Sequence, residues 1–93
     1  MQAPAVVLVE YDFFNGDKGS DVFLFKDIKK AIHLAKDLSK IYLEGEKLTV
    51  EDFQGENDTL EIEENEIYYS FISWNDNEYN KYNVVAYRGN FED

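Results

Sequence analysis

The 93-residue chain predicts a two-layer α+β domain, with one helix packed on a mostly antiparallel sheet of about four strands in the order β-β-α-β-β. Three observations predict it. Runs of β-branched and aromatic residues recur between turn signals, a single stretch has helical periodicity, and that stretch separates two hairpin patterns. The length fits one domain over 1–93. An apolar fraction of 44% excludes a disordered chain even at a net charge of −11.

Residues 5–14 (AVVLVEYDFF) read as the first strand and stop at Asn15-Gly16, a strong hairpin signal widened here to NGDKGS. Residues 21–26 (DVFLFK) read as its partner, and apolar residues of both parities predict that both faces of this hairpin are covered. Asp27 is a good N-cap for a helix from Ile28 to Leu43. Ile28, Ala31, Ile32, Ala35, Leu38 and Tyr42 form its apolar stripe, against a polar side of Lys29, Lys30, His33, Lys36, Asp37 and Lys40. Gly45 is placed to end the helix in a left-handed cap.

Residues 46–58 read as a connection, with a short strand or turn around Leu48–Phe53. The stretch TLEIEENEIYYSF (59–71) then reads as a second hairpin turning at Glu64-Asn65, which sets Glu63 opposite Glu66, Ile62 opposite Ile67 and Leu60 opposite Tyr69. Leu60, Ile62, Ile67, Tyr69 and Phe71 share one face; Glu61, Glu63, Glu66 and Tyr68 share the other. Asn75–Asn80 is turn-rich, and Tyr82–Arg88 is a last strand before an acidic tail. Phe23, Phe25, Tyr69 and Phe71 are assigned to the core. Tyr11, Phe13, Tyr68, Ile72 and Trp74 fall on the other parity and are expected to supply an exposed apolar patch, which opens a route to a homodimer.

Charge is distributed unevenly. Residues 1–47 hold seven lysines and eight acidic residues, a net of −1, whereas 48–93 hold two basic and twelve acidic residues, a net of −10. From Leu48 to Asn80 there is no Lys or Arg, while Glu51, Asp52, Glu56, Asp58, Glu61, Glu63, Glu64, Glu66, Asp76 and Glu78 accumulate. A solvated face that keeps the protein soluble is the plainer reading. Against it, like charges opposed on paired strands cost up to about 1 kcal/mol, and Tyr68 and Trp74 interleave with the acids as binding anchors.

The charges and these two aromatics predict a non-enzymatic inhibitor that presents carboxylates to a basic protein, such as a nuclease or another nucleic-acid-binding enzyme. Inhibitors of restriction or CRISPR nucleases carried by phages and mobile elements, DNA mimics among them, are often small, acidic and cysteine-poor, and in composition alone this chain resembles such anti-CRISPR or anti-restriction proteins. Carboxylates alternating on one strand lie about 6.7 Å apart, while duplex DNA carries a charge every ~1.7 Å of axis. One row is too sparse, so mimicry needs the 51–58 connection, the hairpin and the 76–78 turn to converge. The alternatives are an immunity or regulatory protein that binds a basic toxin or host protein without mimicry, and a homo-oligomeric structural module.

Other chemistry finds little footing. His33, the one histidine, sits among lysines on the polar side of the helix, with no nucleophilic triad around it. Asn15, Asp17, Gly19 and Asp21 alternate as in a calcium loop, but the twelfth position holds Lys26 instead of glutamate. No cofactor or metal is expected, nor direct binding of nucleic acid or membrane by so acidic a surface. The chain lacks cysteine, and its N-terminal stretch lacks the basic start and long apolar core of a signal peptide, which together predict a cytoplasmic protein.

Overall fold

The computed structural model describes residues 3–89. They form β1 (Ala5–Asp12), β2 (Lys18–Phe25), α1 (Ile28–Gly45), a short 3₁₀-helix (Val50–Phe53), β3 (Thr59–Asn65), β4 (Tyr68–Asn75) and β5 (Asn80–Arg88). The class is α+β, as expected, but the sheet has five strands and the order is β-β-α-β-β-β. The acidic stretch and the aromatic stretch after it form two full strands, and 80–88 adds a fifth. The acidic tail after Gly89 lies outside the described residues.

All pairings are antiparallel, in the spatial order β2-β1-β5-β4-β3. Val7 faces Ala86 and Val9 faces Val84 across β1 and β5, and Val84 faces Phe71 on β4. These side chains point toward α1, whose Ala31, Ile32, Ala35 and Tyr42 close the core. Alanines at positions 5, 31, 35 and 86 have no exposed surface, and such small residues let the helix approach the sheet closely. Fully buried Phe71 supplies about 1.5–3 kcal/mol by removal from water.

Asp27 caps α1 as expected, its Oδ1 accepting from the Lys29 N–H at 2.8 Å. The helix runs on through Gly45, so that glycine is not the left-handed cap. Lys47 takes the positive φ of 57° instead. The reason lies one residue further on: the Leu48 N–H reaches the Leu43 carbonyl at 2.8 Å, which brings Leu48 against the core. The expected strand or turn at 48–53 is the 3₁₀-helix, which buries Phe53.

The first hairpin is also corrected. Its strands are 5–12 and 18–25, not 5–14 and 21–26. Since α1 lies mainly over β1, β5 and β4, the edge strand β2 is not covered on both faces; Val22 and Leu24 are 59% and 67% exposed, and core-assigned Phe23 is 39% exposed. Tyr11 and Phe13 leave the expected patch for the helix side, where Phe13 stacks at 6.1 Å on Tyr42 and Tyr42 at 4.3 Å on Tyr82.

The second hairpin keeps the faces of its strand residues and changes its register, while Ile67, expected on the inner face, lies in the turn and is 69% exposed. Asn65 pairs with Tyr68, so Glu66-Ile67 form the turn in place of Glu64-Asn65. Ile62 meets Phe71, Leu60 meets Ser73, and Glu63 meets Ser70 instead of Glu66. Moving each partner by four positions leaves parity unchanged, which is why alternation alone could not separate the two registers. The Asn65 Oδ1 closes the observed turn by accepting from the Ile67 N–H at 2.9 Å. No described residue of this turn has positive φ, so it needs no glycine.

Candidate functional site: an acidic end of the sheet

The β1–β2 turn, the β4–β5 turn and the start of β3 lie at the same end of the sheet, because Asp12 pairs with Lys81 and Thr59 with Trp74. The 51–58 segment is drawn to that end by one side chain. Asp58 accepts from the Gly55 N–H at 2.9 Å through Oδ2 and from the Asp76 N–H at 2.8 Å through Oδ1, which joins the connection to the β4–β5 turn. Two backbone donors on one carboxylate make a strong tie. Glu51, Asp52, Glu56, Asp58, Asp76 and Glu78 are thus gathered at this end, and Glu61 and Glu63 continue the series along β3.

Not all of these carboxylates are free to meet a partner. Asp52 accepts from the Thr49 N–H at 2.7 Å and holds the start of the 3₁₀-helix. Asp76 accepts from the Trp74 indole at 3.2 Å, and Glu78 from the Asn80 amide at 3.3 Å. Glu64 faces the helix side and pairs with Lys36 at 3.0 Å. Glu51, Glu56, Glu61, Glu63 and Glu66 are exposed, with no side-chain hydrogen bond or ion pair to another described residue. Glu66 stands at the far end of the hairpin, away from the others. The shifted register also removes the opposed pair Glu63 and Glu66, so the hairpin carries no like-charge cost of that kind.

The cationic side of α1 is on the other layer. Glu61 and Glu63 face away from it, since their neighbours Glu64 and Ile62 share the face of Phe71 and Tyr69. A groove of about 650 Å³ separates α1 from β3, floored by Ile62, Tyr69 and Phe71. Its lysines are engaged within the fold, Lys36 with Glu64 and Lys40 with Glu44 at 4.0 Å, and the His33 imidazole lies 3.3 Å from the Asp37 carboxylate. Among the described residues, no group of three or more His, Asp or Glu is arranged to hold a metal ion.

Tyr68 and Trp74 are half-buried on the sheet face away from α1. The most exposed aromatics near the acids are Phe14 at 78%, which sequence reading did not single out, and Tyr79 at 58%, which it placed among the acids without making it an anchor. Their rings lie 6.0 Å apart, and Tyr79 meets Trp74 edge-on at 6.2 Å. The Phe14 N–H donates to Asn80 Oδ1 at 3.0 Å, tying the β1–β2 turn to the β4–β5 turn. Tyr79 has φ of 56°, a conformation that costs an L-residue about 1–2 kcal/mol. The adjacent pair Phe13-Phe14 carried one usable signal: at a strand end only one of two neighbours can face the core.

Beneath this end, burial and then the nearby charges of Glu46 and Glu78 push the Tyr42 phenol up to about 12. Tyr82 is raised as well, by burial and then Asp21. The Ser73 hydroxyl next to Tyr42 donates to the Tyr82 carbonyl at 2.6 Å, and the buried Tyr42 hydroxyl has no hydrogen-bond partner. Comparison with protein-family models, curated proteins and solved structures finds no match for this chain. No helix of the described residues is long and apolar enough to cross a membrane.

Proposed function

We propose that this chain is a non-enzymatic acidic binding protein that inhibits a basic partner, a nucleic-acid-handling protein, by covering its cationic surface with carboxylates. The observation that supports this best is the convergence of three separate acidic segments at one end and edge of the sheet, where Asp58 ties the connection to the β4–β5 turn and strand pairing sets β3 beside it. Convergence is what a single row of strand carboxylates, about 6.7 Å apart, lacks as an imitation of phosphates. Phe14 and Tyr79 add exposed aromatic surface beside the acids, where arginine or lysine of a partner gains from both charge and ring.

The test is capture from a lysate at low salt, with elution by rising salt and competition by duplex DNA. Wild type is expected to retain a basic protein that salt releases and DNA displaces, and the triple charge reversal Glu56→Lys, Glu61→Lys and Glu63→Lys is expected to lose it while circular dichroism stays unchanged. Undiminished capture by the folded triple variant would refute the proposal. Release by salt without displacement by DNA would instead favour an immunity or regulatory protein that grips a basic surface without imitating nucleic acid.

A further inference from the structure

Among the described residues nothing covers the sheet face opposite α1, yet much of it is apolar. The register sets it out in rows running across β2, β1, β5 and β4. Leu24, Val6, Tyr87 and Tyr68 make the first row, with Tyr68 beside Tyr87 by continuation of the β4–β5 register. Val22, Leu8, Val85 and Ser70 make the second. Ser20, Glu10, Asn83 and Ile72 follow, then Lys18, Asp12, Lys81 and Trp74. Apolar side chains therefore dominate the two rows farthest from the turns of the acidic end, with Ser70 the one polar member, and charges of both signs occupy the last.

We propose that this face is a homodimer interface, formed about a twofold axis that runs along the strands between β1 and β5. Such an axis lays β1 of one copy over β5 of the other and β2 over β4, with rows preserved. Each apolar row then meets its like: Val6 over Tyr87, Leu8 over Val85, and Leu24 over Tyr68. In the third row Glu10 lies over Asn83, a carboxylate over an amide donor. In the last, Asp12 lies over Lys81 and Lys18 over the Trp74 ring, an ion pair and a cation–π contact. Every pairing occurs twice, as a closed symmetric interface requires.

Charge selects this axis over one that crosses the strands. An axis across the strands would set β3 over β3 and bring Glu61 of each copy against Glu63 of the other. The axis between β1 and β5 instead leaves β3 outside the partner's β2 edge, with its carboxylates in solvent. The area is adequate. Four strands of about eight residues cover roughly 19 by 27 Å, and side-chain relief raises that projection of about 500 Å² toward the roughly 600–1,000 Å² per partner of stable interfaces. Stacked sheets align to within about 30°, so the pairs nearest the axis, those of β1 with β5, keep the closest match.

This interface does not depend on the function proposed above, and the two respond to salt in opposite directions. Two copies of charge −11 repel each other around an apolar contact, so added salt strengthens the dimer, whereas capture of a basic partner weakens. The experiment is sedimentation velocity over a wide concentration range in moderate salt. Wild type is expected to double its mass as concentration rises, and Leu8→Asp is expected to stay a monomer with an unchanged circular dichroism spectrum.

Asp12→Lys and Lys81→Asp are each expected to weaken the dimer at least tenfold, since each sets like charges over one another at both symmetry-related contacts of the last row. An equal mixture of those two variants is expected to dimerise, because each copy then meets its opposite, while the altered pairing inside each chain remains. Wild type that is monomeric at every concentration would overturn the proposal and leave this face to a different protein. A mixture that stays monomeric when wild type dimerises would overturn the proposed axis.

Discussion

On the helix side of the sheet Val7, Val84 and Phe71 have no exposed surface, whereas Val6, Val85 and Ile72, next to them along the same strands, are partly exposed. Similar side chains on successive residues meet opposite environments because a strand alternates its faces and one helix can cover only one of them. The comparison shows that apolar composition alone does not define a core. What defines it is α1, and beyond the reach of α1 the same residue types become surface.

The largest test of that contrast is truncation on each side. Phe71→Ala is expected to lower unfolding free energy by about 3–5 kcal/mol, since it empties a fully enclosed site, while Val85→Ala should cost about 1 kcal/mol or less in dilute protein. Urea denaturation would measure both, and equal losses would show that the open face is as structurally committed as the covered one.

A smaller effect probes the aromatic part of the covered face. The Tyr42 phenol is held at about 12 in the folded protein, against 10.0 ordinarily. The folded state therefore keeps its proton more tightly, so its stabilising effect is complete below pH 10 and is lost as pH rises toward 12. A loss on the order of 2 kcal/mol is expected over that window, and the raised Tyr82 acts in the same direction. Tyr42→Phe removes a buried hydroxyl that has no partner. It should raise stability by up to about 1 kcal/mol and flatten part of the alkaline decline, which urea titrations at several pH values would show.

The smallest effect lies at the acidic end. Tyr79→Gly relieves the positive φ, so it should leave stability unchanged or raise it by up to about 1 kcal/mol. If the exposed ring serves recognition, the same substitution weakens partner capture. A variant that is less stable and still fully competent in capture would show that Tyr79 is held for the fold.

The elements that depend on local chemistry were legible in the sequence. Asp27 announced the helix start, and the stripe from Ile28 to Tyr42 announced its buried side. The faces of the second hairpin were also right, since Leu60 and Ile62 had to share a side with Phe71. Its register was not, because the rival turn preserved the face of every paired strand residue, and the Asn65 side chain and the Ile62–Phe71 contact distinguish them. Gly45 misled for a related reason: the cap was decided by where Leu48 could be buried. The acids of the candidate site were visible as a list. Their gathering was not, because it rests on Asp58 reaching Asp76 across eighteen positions of sequence.

The position of β5 has a consequence for how the molecule is made. The last described strand is the middle one, and its hydrogen bonds on one side hold the β1–β2 hairpin and on the other the β3–β4 hairpin. Until β5 arrives the chain consists of two hairpins that share no strand pairing, and the first and last described segments must meet, with the Gly89 N–H on the Pro4 carbonyl at 3.0 Å. Such distant pairing slows folding relative to a helical domain of equal size. A nascent chain halted before Asn80 would thus be two separate halves, each with an unpaired edge, rather than a smaller version of the sheet.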